Sequence, residues 1–179
     1  LLCHTQTDDA TCIAFFDAYL CGDTEQLDNL LNITLAHTRN TLDTCRAQEI
    51  QMRALIAYGD MSNAISLGQK MLTELGIKLN DGVTVFSTPV LLAKAIYLTI
   101  KMNRIDIKNI PCMTNPESLA AMRVLVLMCQ AGYLIGDRRT TNYILKITEL
   151  SLTEGMAPES SFAYPMFGAL IISYFGTIQ

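Results

Sequence analysis

The stretch Ala57-Tyr58-Gly59-Asp60 separates two segments with helical periodicity, and its pattern recurs in Tyr19-Leu20-Cys21-Gly22-Asp23 and Tyr133-Leu134-Ile135-Gly136-Asp137. Gly176 follows an aromatic pair and begins a further copy. Successive glycines are 37, 77 and 40 residues apart, and 77 is close to two periods. Asn103 lies near the missing midpoint and can replace glycine there, because Asn tolerates left-handed backbone angles. Five turns at a period of roughly 38 residues predict a stack of helix–turn–helix units.

The segments between these turns have the three- and four-residue apolar spacing of helices, and none alternates in the way a half-buried strand does. Asp60 and Asn115 precede two of the segments as predicted N-caps. We predict an all-α fold: a tetratricopeptide-like right-handed array of antiparallel helix pairs. Because residues 105–115 have no room for a second helix, we expect the third unit to be irregular. The predicted helices span residues 8–21, 24–38, 41–58, 61–76, 87–103, 116–133, 138–154 and 158–175.

Composition limits the class of protein. Half of the 179 residues are hydrophobic and 17% are charged, which suits a single domain, residues 1–179, that is a fragment of a longer array. The net charge is −4 and no basic cluster exceeds Arg138-Arg139, so we expect no nucleic-acid partner. The six cysteines show no paired spacing, and no secretory signal precedes them. We read them as reduced core residues of a cytoplasmic protein.

The C-terminal stretch 160–179 contains no charged residue and is long enough to cross a bilayer. Pro165, Gly168 and several serines interrupt it, and its dense apolar part is short. We therefore favour a helix buried between repeats, with no membrane partner. Exposure of its remaining apolar surface predicts self-association through this face.

Motifs for chemistry are scarce. The chain has no phosphate-binding loop and no dinucleotide-binding glycine pattern, so we expect no cofactor. Cys3, His4, Cys12 and Cys21 do not have the spacing of a zinc site, and we predict no metal site. A cysteine nucleophile needs a nearby histidine, yet both histidines lie in the N-terminal quarter. We accordingly predict no catalytic residues and no enzymatic activity for this segment.

Three longer motifs carry a family resemblance. They are Leu72–Leu79, Ile110–Arg123 and Ser151–Tyr164, in that order. The chain resembles the helical-repeat region of large signalling proteins that combine a Ser/Thr-kinase-like domain, an AAA/STAND-type ATPase, a GAF domain and a sensor histidine kinase. The resemblance implies two-component signal transduction, with intramolecular ATPase and kinase modules as partners and with the catalytic residues outside this chain.

These observations lead us to expect a non-catalytic interaction and regulatory scaffold, which relays state between an ATPase and a kinase. Three alternatives remain open: a small-ligand-sensing helical-repeat domain of a signalling or transcriptional regulator, an enzyme of helical fold, and a membrane-associated helical segment. The tyrosines before the turns are most simply packing residues between repeats, or else partner contacts on an open surface. They are Tyr19, Tyr58, Tyr133 and Tyr174.

Overall fold

A computed structural model describes residues 41–79, 87–105 and 109–175 of the chain. This part is helical, and its only extended pairing is a single bridge between Cys112 and Met156. The first predicted unit, with Gly22, and the turn at Gly176 lie outside the described residues. The six helices are α1 (Thr41–Ala57), α2 (Met61–Glu74), α3 (Ser87–Arg104), α4 (Pro116–Leu134), α5 (Thr140–Thr153) and α6 (Ser160–Phe175).

The helix ends follow from local chemistry. Asp60 caps α2 by accepting a hydrogen bond from the backbone N–H of Asn63 at 3.3 Å, and Asn115 caps α4 by accepting one from Glu117 at 3.0 Å. Pro116 occupies the first turn of α4. Proline has no backbone N–H, and this costs nothing there because the first N–H groups of a helix have no acceptor within the helix. Both caps agree with the sequence prediction, and the six of the eight predicted helices that fall within the described residues agree with the observed bounds to within two residues at each end.

The turns at Gly59 and Gly136 have the same hydrogen bonds. The N–H of each glycine donates to the carbonyl three residues earlier, at 3.1 and 3.2 Å, and that of the following aspartate donates to the carbonyl five residues earlier, at 2.8 Å in both. The glycines have φ of +83° and +67°, as the left-handed residue of a Schellman motif requires. The repeated sequence pattern therefore corresponds to a repeated backbone structure.

Helix α4 is the centre of the described fold, because it packs against α1, α2 and α5. Gly68 of α2 makes this packing close: a Cβ atom there would lie 2.7 Å from Met128 Cγ and 3.1 Å from Met52 Cε. The core around this point consists of fully buried methionine, leucine, isoleucine and alanine side chains, including Ile65, Met71 and Leu125. The hairpin of α1 and α2 is thus joined to the hairpin of α4 and α5 through α4.

Helices α1 and α4 run parallel. Glu49 pairs with Arg123, while Met52 and Met128 meet further along at Gly68, so both helices advance in the same direction past shared contacts. Because the two helices are parallel, their C-terminal turns lie at the same edge of the fold. This edge carries Gly59 and Gly136.

Helix α3 does not occupy the place expected of a third repeat. It packs mainly on α5, whereas α4 packs directly on the α1–α2 hairpin that precedes α3 in the chain. Asn103 was predicted as a turn residue, and this is wrong: it is helical, in the last turn of α3. The 77 residues between Gly59 and Gly136 therefore include α3 as a segment inserted between the two helical hairpins, where the sequence predicted a further turn.

The end of this inserted segment is tied to the loop between α5 and α6. The N–H of Met113 donates to the carbonyl of Met156, and that of Met156 donates to the carbonyl of Pro111, each at 2.8 Å. Gly155 permits this approach, since it has φ of +115° and a Cβ atom there would lie 2.6 Å from the Pro111 oxygen. Helix α6 then packs on α5, where the hydroxyls of Ser151 and Ser160 share a buried hydrogen bond of 2.8 Å.

Candidate functional site

The edge formed by the two repeated turns exposes apolar side chains. Tyr58 is 45% exposed and Tyr133 is 73% exposed, and next to Tyr133 lie Leu134 and Ile135, both more than 45% exposed. Tyr133 is therefore mostly in solvent and Tyr58 is about half-buried, and a partner contact for either ring stays a prediction. We call this surface the turn edge: Tyr58, Tyr133, Leu134 and Ile135.

The sequence also singled out Tyr19 and Tyr174 as equivalents of these residues. Tyr19 lies outside the described residues, as does the side chain of Tyr174, although its backbone belongs to α6. The structure thus brings together two of the four tyrosines on one edge.

The aspartates that follow the turn glycines have different roles. Asp60 caps α2 and also accepts a hydrogen bond from the Asn63 amide at 2.6 Å. Asp137 instead binds both the backbone N–H and the guanidinium of Arg139, at 2.9 Å each. Burial raises the pKa of Asp137, but the hydrogen bonds and charge of Arg139 outweigh burial and lower it overall. Asp137 therefore carries a paired negative charge in the turn.

A second apolar surface lies on α3. Val90, Ile96, Tyr97 and Ile100 are between 42% and 60% exposed, on the side of the helix away from α5. The sequence analysis passed over this surface. A sequence signal was present, because apolar residues lie on more than one side of α3, a pattern that favours contacts on two sides.

A buried ion pair connects α1 and α4. Arg123 Nε lies 3.0 Å from each carboxylate oxygen of Glu49, and the Glu49 side chain is 10% exposed. Burial raises the pKa of Glu49, and although Arg123 and Arg53 act against this, the pKa remains above its usual value. Cys45 is fully buried nearby, and burial followed by the charges of Glu49 and Glu74 raises the pKa of its thiol. This arrangement holds two helices together and leaves the Cys45 thiol protonated.

The remaining cysteines of the described part differ from one another. Cys129 is buried in α4, and burial raises the pKa of its thiol to about 12. Cys112 is exposed, which corrects the interpretation of the cysteines as core residues at this position. Within the described ranges, no group of three or more His, Cys, Asp or Glu residues is placed to hold a metal ion.

A small cavity lies at the C-terminal end of α2. Its volume is about 350 Å³, and Gln69, Leu72, Thr73 and the segment 76–79 line it. Gly76, with φ of +72°, ends the helix there and turns the chain along the cavity wall. Its lining offers one amide, one hydroxyl and one ammonium group among apolar atoms.

The C-terminal helix is less apolar on its outer surface than the sequence suggested. In the described part of α6, Ile172 is the exposed large apolar residue, at 71%, while Phe167 and Leu170 are buried. Among the described residues, no helix is long and apolar enough to cross a bilayer.

Comparison of the chain with known protein families, with curated proteins and with solved structures finds no match.

Proposed function

We propose that this chain is a non-catalytic interaction segment built as a tetratricopeptide-like right-handed array. The observation that carries the proposal is the position of α4, which packs on both helices of the preceding hairpin and runs parallel to α1. Side-by-side stacking of helical hairpins is how repeat arrays build extended binding surfaces. The equivalent turns at Gly59 and Gly136 support the same reading.

The turn edge is the partner-contact surface in this proposal. Tyrosine is favoured at binding interfaces because it supplies a large rigid ring with few rotatable bonds. Two exposed tyrosines at equivalent turns offer a partner anchor points at a repeated spacing. The candidate partners are the intramolecular modules of a larger protein, or another copy of the chain contacting the 160–179 face.

The finer role is a relay between an ATPase and a kinase in a cytoplasmic two-component signalling protein. Its support is the resemblance of the three sequence motifs to such proteins. Determination of the sequence on both sides of this reading frame tests it: a phosphate-binding loop upstream and a GAF or histidine-kinase module downstream would support the relay. Stop codons close to both ends would refute the relay and leave a free-standing helical adaptor.

Photo-crosslinking tests the interaction function itself. A photoreactive phenylalanine analogue replaces Tyr133 in the full-length protein in cells, and a matched variant carries it at Ser66, an exposed position of α2. We expect crosslinks to a defined protein segment from position 133 and none from position 66. Equal crosslinking from both positions, or none from either, would contradict a partner-contact role for the turn edge.

One observation favours the small-ligand-sensing alternative, namely the cavity at the end of α2. In that case a metabolite should raise the melting temperature of the chain, and Thr73→Trp, which fills the cavity, should abolish the rise. We expect no metabolite-dependent shift under the interaction function.

A further inference from the structure

Helix α3 is apolar on two sides, and only one of them is covered. Ala95 and Leu98 are buried against the core, and Leu91 and Met102 are partly buried on the same side. We define the outer face of α3 as the exposed residues Val90, Ile96, Tyr97 and Ile100. Ala93, also exposed, continues the stripe between Val90 and Tyr97. The residues follow each other at three- and four-residue intervals, so they form a continuous stripe along the helix.

The position of α3 marks it as an addition to the stack. The α1–α2 hairpin contacts α4 directly, so α3 is not needed to join the two hairpins. Inserted segments of repeat arrays map to one face, which is often the binding face. A single Lys94–Glu149 ion pair, with an N···O distance of 2.8 Å, fixes α3 to α5 alongside the apolar contacts. The outer face is thereby held in a fixed position and not left as a mobile loop.

The size of the stripe separates it from scattered surface residues. From the exposed fractions of its four large side chains, it exposes on the order of 400 Å² of apolar surface. A contiguous apolar patch of this size is comparable with the largest patch on a typical protein surface, which is often functional. A ring such as Tyr97, 60% exposed at the middle of the stripe, is the type of residue that anchors a partner.

Charge identifies the chemistry of that partner. Helix α3 has three basic residues, Lys94, Lys101 and Arg104, and no acidic residue, within a chain whose net charge is −4. The rest of the chain therefore carries −4 − 3 = −7. Lys94 is neutralised by Glu149, while Lys101 and Arg104 form no ion pair in the described part of the chain. Cations beside an apolar stripe favour a partner with acidic side chains at the rim of the interface.

Two other occupants fit the outer face less well. A second copy would bring one α3 against another, and since this helix has no acidic residue, Lys101 and Arg104 would find no counter-charge in either orientation. An anionic membrane surface is recognised by clusters of roughly four to eight basic residues, whereas α3 offers two that lack an ion pair with any described residue, both in its last turn.

We propose that the outer face of α3 binds an amphipathic helix of a protein partner, whose apolar stripe lies on Val90, Ile96, Tyr97 and Ile100 and whose acidic side chains pair with Lys101 and Arg104. Helix-on-helix docking of this kind uses anchors at three- and four-residue spacing on both sides. The proposal rests on the interaction function and adds a second surface to the turn edge, with a defined partner chemistry.

Fluorescence anisotropy tests the proposal with the full chain and two synthetic helical peptides. Both carry the same leucine stripe, flanked in one by glutamate and in the other by lysine. We expect micromolar binding of the glutamate peptide and at least about tenfold weaker binding of the lysine peptide. Tyr97→Ser should weaken binding of the glutamate peptide about tenfold or more, and Ser66→Ala, at an exposed position of α2 outside both surfaces, should leave it unchanged. Circular dichroism confirms that both variants are folded.

Charge reversal on α3 tests the predicted charge of the partner directly. The double variant Lys101→Glu/Arg104→Glu should lose the glutamate peptide and gain the lysine peptide. Equal binding of both peptides, or no effect of Tyr97→Ser, would overturn the proposal. The proposal would also be overturned if the chain bound phosphatidylserine vesicles and Tyr97→Ser abolished that binding. A dimer in sedimentation velocity that becomes a monomer in the Tyr97→Ser variant would overturn it as well. If the peptides fail but position 133 still crosslinks, the partner chemistry at α3 is wrong and the interaction function stands.

Discussion

Replacement of Arg123 by leucine should reveal how much the junction of α1 and α4 depends on the ion pair with Glu49. The guanidinium Nε lies 3.0 Å from both carboxylate oxygens, and the side chain of Glu49 is 10% exposed while that of Arg123 is 33% exposed. Removal of one partner of a fully buried pair costs about 3–5 kcal/mol, because the other charge stays buried. Allowing for the partial exposure of Arg123, we expect a loss of about 2–3 kcal/mol of unfolding free energy near pH 7.

The pH dependence of this loss gives a second check. Burial raises the pKa of Glu49 even beside Arg123, so the folded state binds the proton more tightly than the unfolded state does. Stability therefore falls as pH rises through the window between the unfolded and the folded pKa of this carboxyl. Without Arg123 the folded pKa rises further and the window extends upward. The loss caused by Arg123→Leu should accordingly be smaller near pH 5 than near pH 7.

Denaturant and thermal unfolding followed by circular dichroism measure these differences. A loss of that size corresponds to a fall of about 4–12 °C in melting temperature for a chain of this length. The double variant Glu49→Leu/Arg123→Leu should recover most of the stability, since it leaves no buried charge. Lys70→Leu removes an exposed pair with Glu74 and serves as the control, with an expected change below about 0.5 kcal/mol. A loss no larger than the control's, or a double variant less stable than Arg123→Leu, would refute the reasoning.

Three further outcomes are expected. Gly59→Val should lower the unfolding free energy by about 1 kcal/mol or more because φ is +83° there, and an unchanged melting temperature would disprove the left-handed turn. Alkylation of the native protein, mapped by mass spectrometry, should modify the exposed thiol of Cys112. The buried thiol of Cys129, whose pKa is about 12, should not react. Rapid modification of both thiols would contradict the packing of α4. Burial alone raises the pKa of Glu149, but its two lysine partners outweigh burial and lower the pKa overall. The stability that Glu149 gives the α3–α5 contact is therefore present above the pKa of this carboxyl in the unfolded chain, and it is lost as pH falls through the folded-state pKa. Hydrogen exchange should show α3 losing protection before α4 under acid, and Glu149→Gln should remove that difference.

The sequence predicted the helices well because their determinants are local. Asp60 and Asn115 cap helices through their own side chains, and Gly59 and Gly136 end helices through a backbone conformation that their neighbours disfavour. Apolar periodicity identified the segments between them. These signals extend over a few residues, so a single sequence is sufficient to read them.

The arrangement of the helices was less predictable. The interval of 77 residues is close to two repeat lengths, and Asn103 was predicted as the missing turn. In the structure, however, α3 packs on α5, and α4 packs on α1 and α2. Periodicity shows which face of a helix is apolar, but not which partner covers it. Close packing at Gly68, set by the absence of a side chain, also has no signature in the apolar pattern.

The sequence did not decide which apolar side chains are exposed, for a related reason. Tyr58 and Tyr133 stand at turns, where an aromatic ring can pack inward or remain in solvent, and the sequence alone does not distinguish these outcomes. On α3, apolar residues lie on more than one side of the helix, and their spacing does not show which side is covered. The structure separates the covered side, with Leu98, from the open side, with Tyr97.

The skipped position of α3 also has a consequence during synthesis. The α1–α2 hairpin is complete once Glu74 has left the ribosome. The α4 residues that cover its methionine-lined face are synthesised later, and this helix is complete only at Leu134. At typical elongation rates of about 5–20 residues per second, the sixty-residue interval takes roughly 3–12 s. Throughout that interval the nascent hairpin exposes Met52 and the groove at Gly68 to molecular chaperones. A chaperone that holds apolar helical hairpins would have its longest access to this chain at that stage.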